Sequence, residues 1–263
     1  MIKVGADVEL GLQNHEGTLV SSIGKIGGSK HRPLLVEGGN LQEDNVLAEF
    51  AIDPASSEDD FYQKITQVYG TLRLKMQELQ LKPLLLSSLR YPMTELMHPR
   101  AMEFGCEPDF DAWTMSQNIP PDPFQVMDLR TCGGHLHVGW DVAEDDIESK
   151  VRLIKMMDLF LGVPSVLLDG DTDRRSMYGK AGAHRPKSYG VEYRSLSSFW
   201  IKDESHIRWA YQQTLKAFQH KDQEVSDLIG NRSDDLAEII NRSDTKGAEE
   251  LVAQYGIQLP EAA

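Results

Sequence analysis

The chain begins with a segment in which apolar and polar positions alternate. Every second residue of Lys3–Leu10 is apolar, and the positions between them include Asp7 and Glu9. Side chains alternate between the two faces of a strand, so this pattern predicts a strand that is buried on one face and carries both acids on the other. By similar patterns and bounding turns, further strands are predicted at Thr18–Ile23, Leu34–Val36, Val46–Ile52, Leu84–Leu89, Gly133–Trp140 and Tyr189–Leu196.

Helices are predicted between and after these strands. Ser56 or Ser57, followed by acids, is a typical cap for a helix that runs to about Gln80, and Pro54 is expected to end the strand before it. An acid-started helix is predicted at about Glu144–Leu161. Beyond Trp200, apolar residues recur every three or four positions, which is typical of amphipathic helices.

Two long stretches lack a regular pattern, Tyr91–Pro123 and Asp169–Lys187. Loops of this length inside a packed domain are usually functional. Strands followed by a helical C-terminal portion, without internal repeats, predict the α+β fold class.

Composition narrows the class of protein. The chain has 263 residues and a net charge of −14, so binding to duplex nucleic acid is not expected, although a local basic pocket could hold a small anion. No apolar run reaches the ~18 residues of a membrane helix, and the acids at the N-terminus argue against a signal peptide. Cys106 and Cys132 are the only cysteines, which fits a reducing cytoplasm rather than a disulfide scaffold.

Functional side chains occur two residues apart on three predicted strands, and therefore on one face of each. The pairs are Asp7 with Glu9, His135 with His137, and Glu192 with Arg194, and Glu49 lies on a fourth strand. If the strands share one sheet, that face collects many carboxylates, which are costly to bury without cations. Carboxylates with few histidines favour Mg²⁺ or Mn²⁺ over Zn²⁺.

A basic stretch adds a possible anion site. Arg174, Arg175, Lys180, Arg185 and Lys187 lie close together in an otherwise acidic chain. The glycine-rich Gly24–Lys30 lacks the ending of a Walker A loop. Each motif alone also fits a solvated strand edge, a salt bridge or an exposed loop, so the hypothesis depends on their combination.

In order, the segments GADVELGL, GGSKHRP, QEDNVLAEFAIDPA, RTCGGHLHVGW and RRSMYGKAGAHRPKSYGVEYRSLSSFW resemble the phage-type COOH·NH2 (carboxylate–amine) ligases of type 2. These proteins belong to the glutamine synthetase and γ-glutamylcysteine synthetase superfamily. The resemblance implies a glutamine synthetase-like catalytic core at residues 1–205, built on a curved, mainly antiparallel sheet. Residues 206–263 are then a helical extension packed on the same domain.

The resemblance also implies roles for individual residues. The implied metal ligands are Asp7, Glu9, Glu49, His135 and Glu192, with Glu37 or Glu43 as a further acid that could take a proton from the amine. The implied catalytic residues are Glu49, Arg185 and Arg194. The implied ATP and substrate contacts are Lys30, His137, Arg174, Arg175, Tyr178 and Lys187. Position 7 departs from glutamine synthetase, which has Glu where this chain has the shorter Asp.

The expected reaction joins a carboxylate to an amine, with ATP and two or more Mg²⁺ or Mn²⁺ ions, through an acyl phosphate. The expected partners are small-molecule or peptide acids and amines, and no membrane partner is expected. The expected location is the cytoplasm, which for a phage protein is that of the host. A homo-oligomer is compatible with the sequence. Two alternatives remain: a metal-dependent phosphoesterase, and a non-catalytic phage accessory protein that keeps the fold.

Overall fold

The fold is built around one long strand, β1 (Lys3–Asn14). The structure is a computed structural model that describes residues 2–102, 108–119 and 127–261. The first half of β1 pairs with one neighbour on each side, and its last residues pair with two further short strands. All the strand pairings of this sheet are antiparallel in the described residues. The chain is therefore α+β with a large antiparallel sheet.

Twelve further strands are present in the described residues. They are β2 (Leu19–Val20), β3 (Leu34–Val36), β4 (Gly39–Asp44), β5 (Leu47–Ala55), β6 (Leu81–Leu84), β7 (Ser88–Arg90), β8 (Phe110–Asp111), β9 (Ser116–Gln117), β10 (Leu129–Thr131), β11 (Gly134–Gly139), β12 (Ala183–Lys187) and β13 (Gly190–Tyr193). The main sheet has the order β3-β4-β5-β1-β11-β13-β12-β8-β9, with β2 and β6 also on β1, while β7 and β10 form a separate pair.

Helices flank this sheet. They are α1 (Glu58–Glu78), α2 (Ile147–Met157), α3 (Val163–Leu168), α4 (Asp173–Met177), α5 (Glu204–Gln219), α6 (Val225–Ile229), α7 (Ser233–Asn241) and α8 (Thr245–Tyr255). The side chain of Ser57 caps α1 by accepting the N–H of Asp60 at 3.2 Å, which confirms the predicted helix start. In the described part of the chain, no helix is both long and apolar enough to cross a bilayer.

The apolar face of β1 faces the helices, as its alternation predicts. Val4, Val8 and Leu10 are fully buried and share one hydrophobic cluster with residues of α1, α5 and α8. Phe61 of α1 packs against Trp200 at 5.9 Å and Tyr211 at 5.3 Å between ring centroids. The C-terminal helices thus pack on the same core as the sheet, which leaves the opposite face of β1 for its acids.

The helix predicted at Glu144–Leu161 is interrupted. It begins after Asp146, whose side chain accepts the N–H of Ser149, and α2 passes into a five-residue π turn, Asp158–Gly162, before α3 continues it. Such turns are rare inside α-helices. A π turn contains one residue more than an α-helical turn, and the apolar periodicity of the sequence does not reveal this extra residue.

Three predictions about segments were wrong. Leu84–Leu89 is not one buried strand, because β6 pairs with β1 while β7 pairs with β10, and Leu86 between them is half exposed. Asp169–Lys187 is not irregular throughout, since it contains α4 and β12. Pro54 does not end its strand, which continues to Ala55. Part of Tyr91–Pro123, including Cys106, lies outside the described residues.

The backbone of Gly134 packs closely against the segment after β13, which gives a test of the fold. A Cβ at this position would lie 2.4 Å from the carbonyl oxygen of Ser197 and 2.5 Å from Nε1 of Trp200. Gly134→Ala should therefore lower the free energy of unfolding by ~1–3 kcal/mol, the usual cost of overpacking.

The matched control is Gly70→Ala in α1, where a Cβ has no neighbour within 4 Å. Removing a helical glycine should stabilise by ~0.5–1 kcal/mol. Urea unfolding followed by circular dichroism measures both variants. Equal midpoints for the two would contradict the close packing at Gly134.

Candidate active site

The register of the sheet brings the polar side chains of separate strands together. Each pairing joins residues that are far apart in sequence and places their side chains on the same face. The register pairs Asp7 with His135, Glu9 with Glu49, and His137 with Glu192. Strands β5, β1, β11 and β13 therefore present one continuous polar face opposite the helices.

The first cluster on this face, the histidine group, consists of Asp7, His137 and Glu192. One possible ligand atom from each lies within 4.8 Å of the others. Nε2 of His137 lies 3.0 Å from Oδ2 of Asp7, and its Nδ1 lies 2.6 Å from the hydroxyl of Tyr189. Although burial opposes a charge on the His137 ring, Asp7 raises the pKa of His137. The geometry gives this cluster two carboxylates and one imidazole.

His135 has different surroundings from His137. Its Nδ1 lies 2.6 Å from Oδ1 of Asp7, and a Cβ on Gly133 would lie 2.2 Å from its Nε2. Burial, together with the charge of Arg194, lowers the pKa of His135. The sequence favoured His135 as the ligand and His137 as a substrate contact. The structure places His137 in the histidine group, and Nδ1 of His135 adjoins the same group, 3.9 Å from Oε1 of Glu192.

The second cluster, the carboxylate group, consists of Glu9, Asp44 and Glu49, whose oxygens also approach within 4.8 Å of one another. The N–H of Gly133 donates to Oε2 of Glu9 at 2.5 Å, and Gln42 donates to Oε2 of Glu49 at 2.7 Å. Burial, reinforced by Asp44, raises the pKa of Glu9 to about 8. Burial and then Asp7 raise the pKa of Glu49 well above its usual value. Burial and the charges of neighbouring carboxylates thus outweigh the hydrogen bonds that favour the ionised forms of Glu9 and Glu49.

The opposite situation holds for Glu192, which several cations contact. Its Oε2 lies 3.0 Å from Nζ of Lys187, and its Oε1 lies 3.3 Å from Nη1 of Arg185 and also contacts Arg194. Burial and Asp7 oppose ionisation, but Arg194 and the histidines hold the pKa of Glu192 at about 2. Asp109 accepts from Nε of Arg194 at 3.3 Å. Cations and carboxylates thus alternate across this end of the site.

A cavity of about 970 Å³ opens beside both clusters. Asp7, His137 and Glu49 lie at its polar side, and Lys3 and Lys30 provide cations. The remaining lining residues are small, apolar or uncharged: Gly5, Ala6, Pro33, Asn40, Gln42, Ala51, Ile52, Pro54, Gly139, Trp140 and Tyr189. The volume is at the upper end of the ~300–1,000 Å³ typical of small-molecule sites.

The structure does not bring Arg174 and Arg175 to this site. Both are buried, and their guanidinium groups donate to backbone carbonyls, those of Ser195 and Arg194 for Arg174 and those of Ser165, Asp169 and Asp171 for Arg175. A guanidinium held by carbonyl oxygens supports the fold, and the role of these two arginines in ATP and substrate binding stays a prediction. Tyr178, at the end of α4, is not among the described residues that line the cavity.

Glu37 and Glu43 are also away from the two clusters. Glu37 is exposed in the turn before β4. Glu43 points to the other face of β4, where it accepts the N–H groups of Ile26 and Gly27 and pairs with Arg100 at 2.8 Å. Side chains alternate along β4, so Asp44 rather than Glu43 joins Glu49. The structure therefore does not place either glutamate in the two clusters.

Sequence reasoning missed Asp44 and Asp109. Asn40, Gln42 and Asp44 alternate on one face of β4, but Leu41 is the only large apolar residue of this strand, so its strand pattern is weak. Asp109 precedes a two-residue strand in an irregular stretch and meets Arg194 only through tertiary folding. No local pattern distinguishes it.

The raised pKa of Glu9 makes the stability of the metal-free protein depend on pH. The folded state keeps the Glu9 proton up to about pH 8, whereas the unfolded chain releases it near 4.5. The contribution of Glu9 to the free energy of unfolding should therefore fall as pH rises between these values, by at most ~1.4 kcal/mol per pH unit.

Urea unfolding in EDTA from pH 5 to 8 measures this slope. Glu9→Gln should reduce this slope without abolishing it, because the amide does not titrate whereas Glu49 still does, and Glu43→Gln on the other face should leave the slope unchanged. Added Mg²⁺ should stabilise the wild type most at the high-pH end, where Glu9 and Glu49 ionise more readily. Parallel pH profiles for wild type and Glu9→Gln would contradict the assignment.

Comparison with known proteins adds one finding. The model of the family described as phage phiEco32-like COOH.NH2 ligase type 2 matches residues 123–229. No curated protein matches the chain. The matched stretch contains β11, β12 and β13, with His135, His137, Arg185, Glu192 and Arg194, but not β1 or β5. This part of the chain is similar to a family of carboxylate–amine ligases.

Proposed function

We propose that the protein is an ATP-dependent carboxylate–amine ligase that forms an amide through an acyl phosphate. The observation that carries this proposal is the pairing of two acidic ligand groups with a row of cations, Arg185, Lys187 and Arg194, beside a cavity large enough for a nucleotide. The match of residues 123–229 to a ligase family supports the same reaction type. The proposal includes a glutamine synthetase-like arrangement of the sheet.

The chemistry of the two ligand groups fits a pair of Mg²⁺ or Mn²⁺ ions. The histidine group offers two carboxylates and an imidazole, and the carboxylate group offers three carboxylates whose mutual repulsion a divalent cation would relieve. Such ions, when bound, neutralise the phosphate oxygens of a nucleotide and the charge that develops during transfer. Asp7, His137 and Glu192 would hold one ion, and Glu9, Asp44 and Glu49 the other.

The reaction balances in two steps. A carboxylate oxygen of the acid attacks the γ-phosphorus of ATP, the bond to the β,γ-bridging oxygen breaks, and ADP leaves. The amine nitrogen then attacks the carbonyl carbon of the acyl phosphate, loses a proton, and expels inorganic phosphate. The sum converts acid, amine and ATP into amide, ADP and phosphate.

The cations of β12 and the residue after β13 have a direct role in the first step. Arg194 is held from one side by Asp109 and from the other by Glu192, so its guanidinium needs little reordering during the reaction. Arg185 lies on the same face through its register with Glu192. Fixed donors of this kind stabilise a phosphoryl group in transfer more than flexible ones.

The cavity fits the nucleoside part of ATP. Trp140 and Tyr189 offer aromatic surface, while Lys3 and Lys30 supply positive charge. Asp7 and His137 at its edge belong to the histidine group, so a nucleotide in the cavity would direct its phosphates toward that cluster. Gly5 and Gly139 leave the floor of the cavity without side chains.

The function is tested by incubating the protein with ATP, Mg²⁺ and a pooled panel of acids and amines, and reading the products by mass spectrometry. ADP should form only with an acid–amine pair, together with a product lighter than the pair by one water. ADP without condensation would indicate hydrolysis, and no ADP would favour a non-catalytic protein.

Glu192→Gln should reduce ADP formation by ~10³-fold or more, because it removes a charged ligand and a partner of Arg194 at nearly constant volume. Glu43→Gln is the matched control, since Glu43 is similarly buried on the other face of the sheet. It should lose stability but keep turnover. Full activity of Glu192→Gln would refute the assignment.

The cavity is tested at Gly5. A Cβ there would contact Cβ of His137 at 3.5 Å and the carbonyl oxygen of Ile52 at 3.8 Å, which are ordinary distances. Gly5→Val should therefore fold but project its methyl groups into the cavity and raise the KM for ATP at least ~10-fold, a steric loss of ~1.4 kcal/mol. Gly5→Ala, with its smaller side chain, should stay near wild type. An unchanged KM in both would place the nucleotide elsewhere.

A further inference from the structure

Asp158 is fully buried in the core, yet nothing in the proposed reaction uses it. It occupies the first position of the π turn that interrupts the helix between α2 and α3. An acid with no exposed surface is costly unless its oxygens accept hydrogen bonds. The hydrogen-bond partners of Asp158 therefore indicate its role.

Within the described residues, both carboxylate oxygens of Asp158 accept from donors on other elements. Oδ1 accepts from the hydroxyl of Tyr193 at 2.8 Å and, at 3.4 Å, from that of Ser195. Oδ2 accepts from Nε1 of Trp113 at 2.7 Å and from the N–H of Gly182 at 2.6 Å. An indole or a backbone N–H only donates, and both point at Oδ2, so an amide in place of the carboxylate would have to turn its NH2 group toward the Tyr193 hydroxyl and would lose the hydrogen bond that this hydroxyl donates.

The π turn makes these contacts sterically possible. Its last residue is Gly162, where a Cβ would lie 2.8 Å from the Tyr193 hydroxyl and 3.2 Å from Oδ1 of Asp158. The glycine thus leaves room for the tyrosine to reach the acid. Nζ of Lys155 in α2 also lies 5.2 Å from the centre of the Trp113 ring. The indole is therefore contacted both by α2 and by Asp158 of the π turn that follows it.

Each donor belongs to a segment that carries a residue of the candidate site. Tyr193 stands between Glu192 and Arg194 in the chain, and Gly182 precedes the strand that carries Arg185. Trp113 belongs to the segment 108–119 that supplies Asp109, the partner of Arg194. Asp158 therefore connects, through hydrogen bonds, the segments that carry Asp109, Arg185 and Arg194.

We propose that Asp158 is a positioning residue, which fixes the segment 108–119 and the end of β13 so that Asp109 and Glu192 hold the Arg194 guanidinium ready for phosphoryl transfer. It contacts neither substrate nor ligand groups and acts through Trp113 and Tyr193. The role in transfer rests on the proposed function, whereas the role in holding Asp109 against Arg194 does not.

The first test is hydrogen exchange in Asp158→Asn. The amide of Ala112 donates to the carbonyl of Gly182 and reports on the docking of the segment 108–119, whereas that of Asn118 donates to the carbonyl of Asp109 within the segment and reports on the position of Asp109. Exchange at these amides should rise at least ~10-fold, the change expected when ~1.4 kcal/mol of buried hydrogen bonding is lost. Unchanged exchange would overturn the proposal.

Two further variants separate docking from general destabilisation. Asp169→Asn is the matched control, because Asp169 accepts from Ser87 and Ser197, which lie outside the segment 108–119. It should leave exchange at Ala112 and Asn118 unchanged. Trp113→Phe removes a single donor from the network and should give an intermediate increase, which keeps the test available if Asp158→Asn does not fold.

The second test is a double-mutant cycle on turnover at pH 8, with the fraction of folded enzyme measured for each variant. Asp158→Asn and Asp109→Asn should each lower kcat by about 10- to 100-fold with little change in the KM for ATP. The double variant should lose no more than the poorer single variant, because both act through Arg194. Additive losses would overturn the proposal.

The two tests also distinguish this proposal from the function on which it rests. If the wild type forms no ADP with any acid–amine pair, the ligase fails. The exchange of Ala112 and Asn118 then decides by itself whether Asp158 docks the segment.

Discussion

The constraint on which the structure depends is the repulsion among carboxylates gathered on one face of an antiparallel sheet. The oxygens of Glu9, Asp44 and Glu49 lie close enough together to bind one metal ion, and burial raises the pKa of Glu9 to about 8. Bringing such groups together is unfavourable unless protons or cations compensate. The apolar face of β1, packed against α1 and α5, supplies the stability that keeps them in place.

The two ends of the polar face meet this constraint in different ways. Glu192 is compensated by side chains of the protein, since Lys187, Arg185 and Arg194 contact its oxygens and keep its pKa low. The carboxylate group has no comparable set of cations in the described residues, and the pKa values of Glu9 and Glu49 are raised. In the proposed reaction, the prearranged cations would contact the phosphoryl group and the carboxylate group would hold a divalent cation.

The supports behind the sheet are as specific as the polar face. The guanidinium of Arg174 donates to the carbonyl groups of Arg194 and Ser195. It therefore holds the backbone that carries Arg194. Asp158 gathers Trp113, Gly182 and Tyr193 around one buried carboxylate. In both cases a buried ionisable side chain connects separate segments through hydrogen bonds. Its partners among the described residues are backbone groups and neighbouring side chains.

The sequence by itself determined the strands that carry Asp7, Glu9, Glu49, His137 and Glu192, and the helix after Ser57. Period-two alternation and capping are local, so they are visible without the fold. Tertiary structure alone decided that Asp44 and not Glu43 joins Glu49, that His137 rather than His135 completes the histidine group, and that Asp109 reaches Arg194. It also decided that Arg174, Arg175 and Asp158 turn inward. These outcomes depend on strand register and on packing between distant segments, which fix which charges meet and are not recorded in any single stretch of the chain.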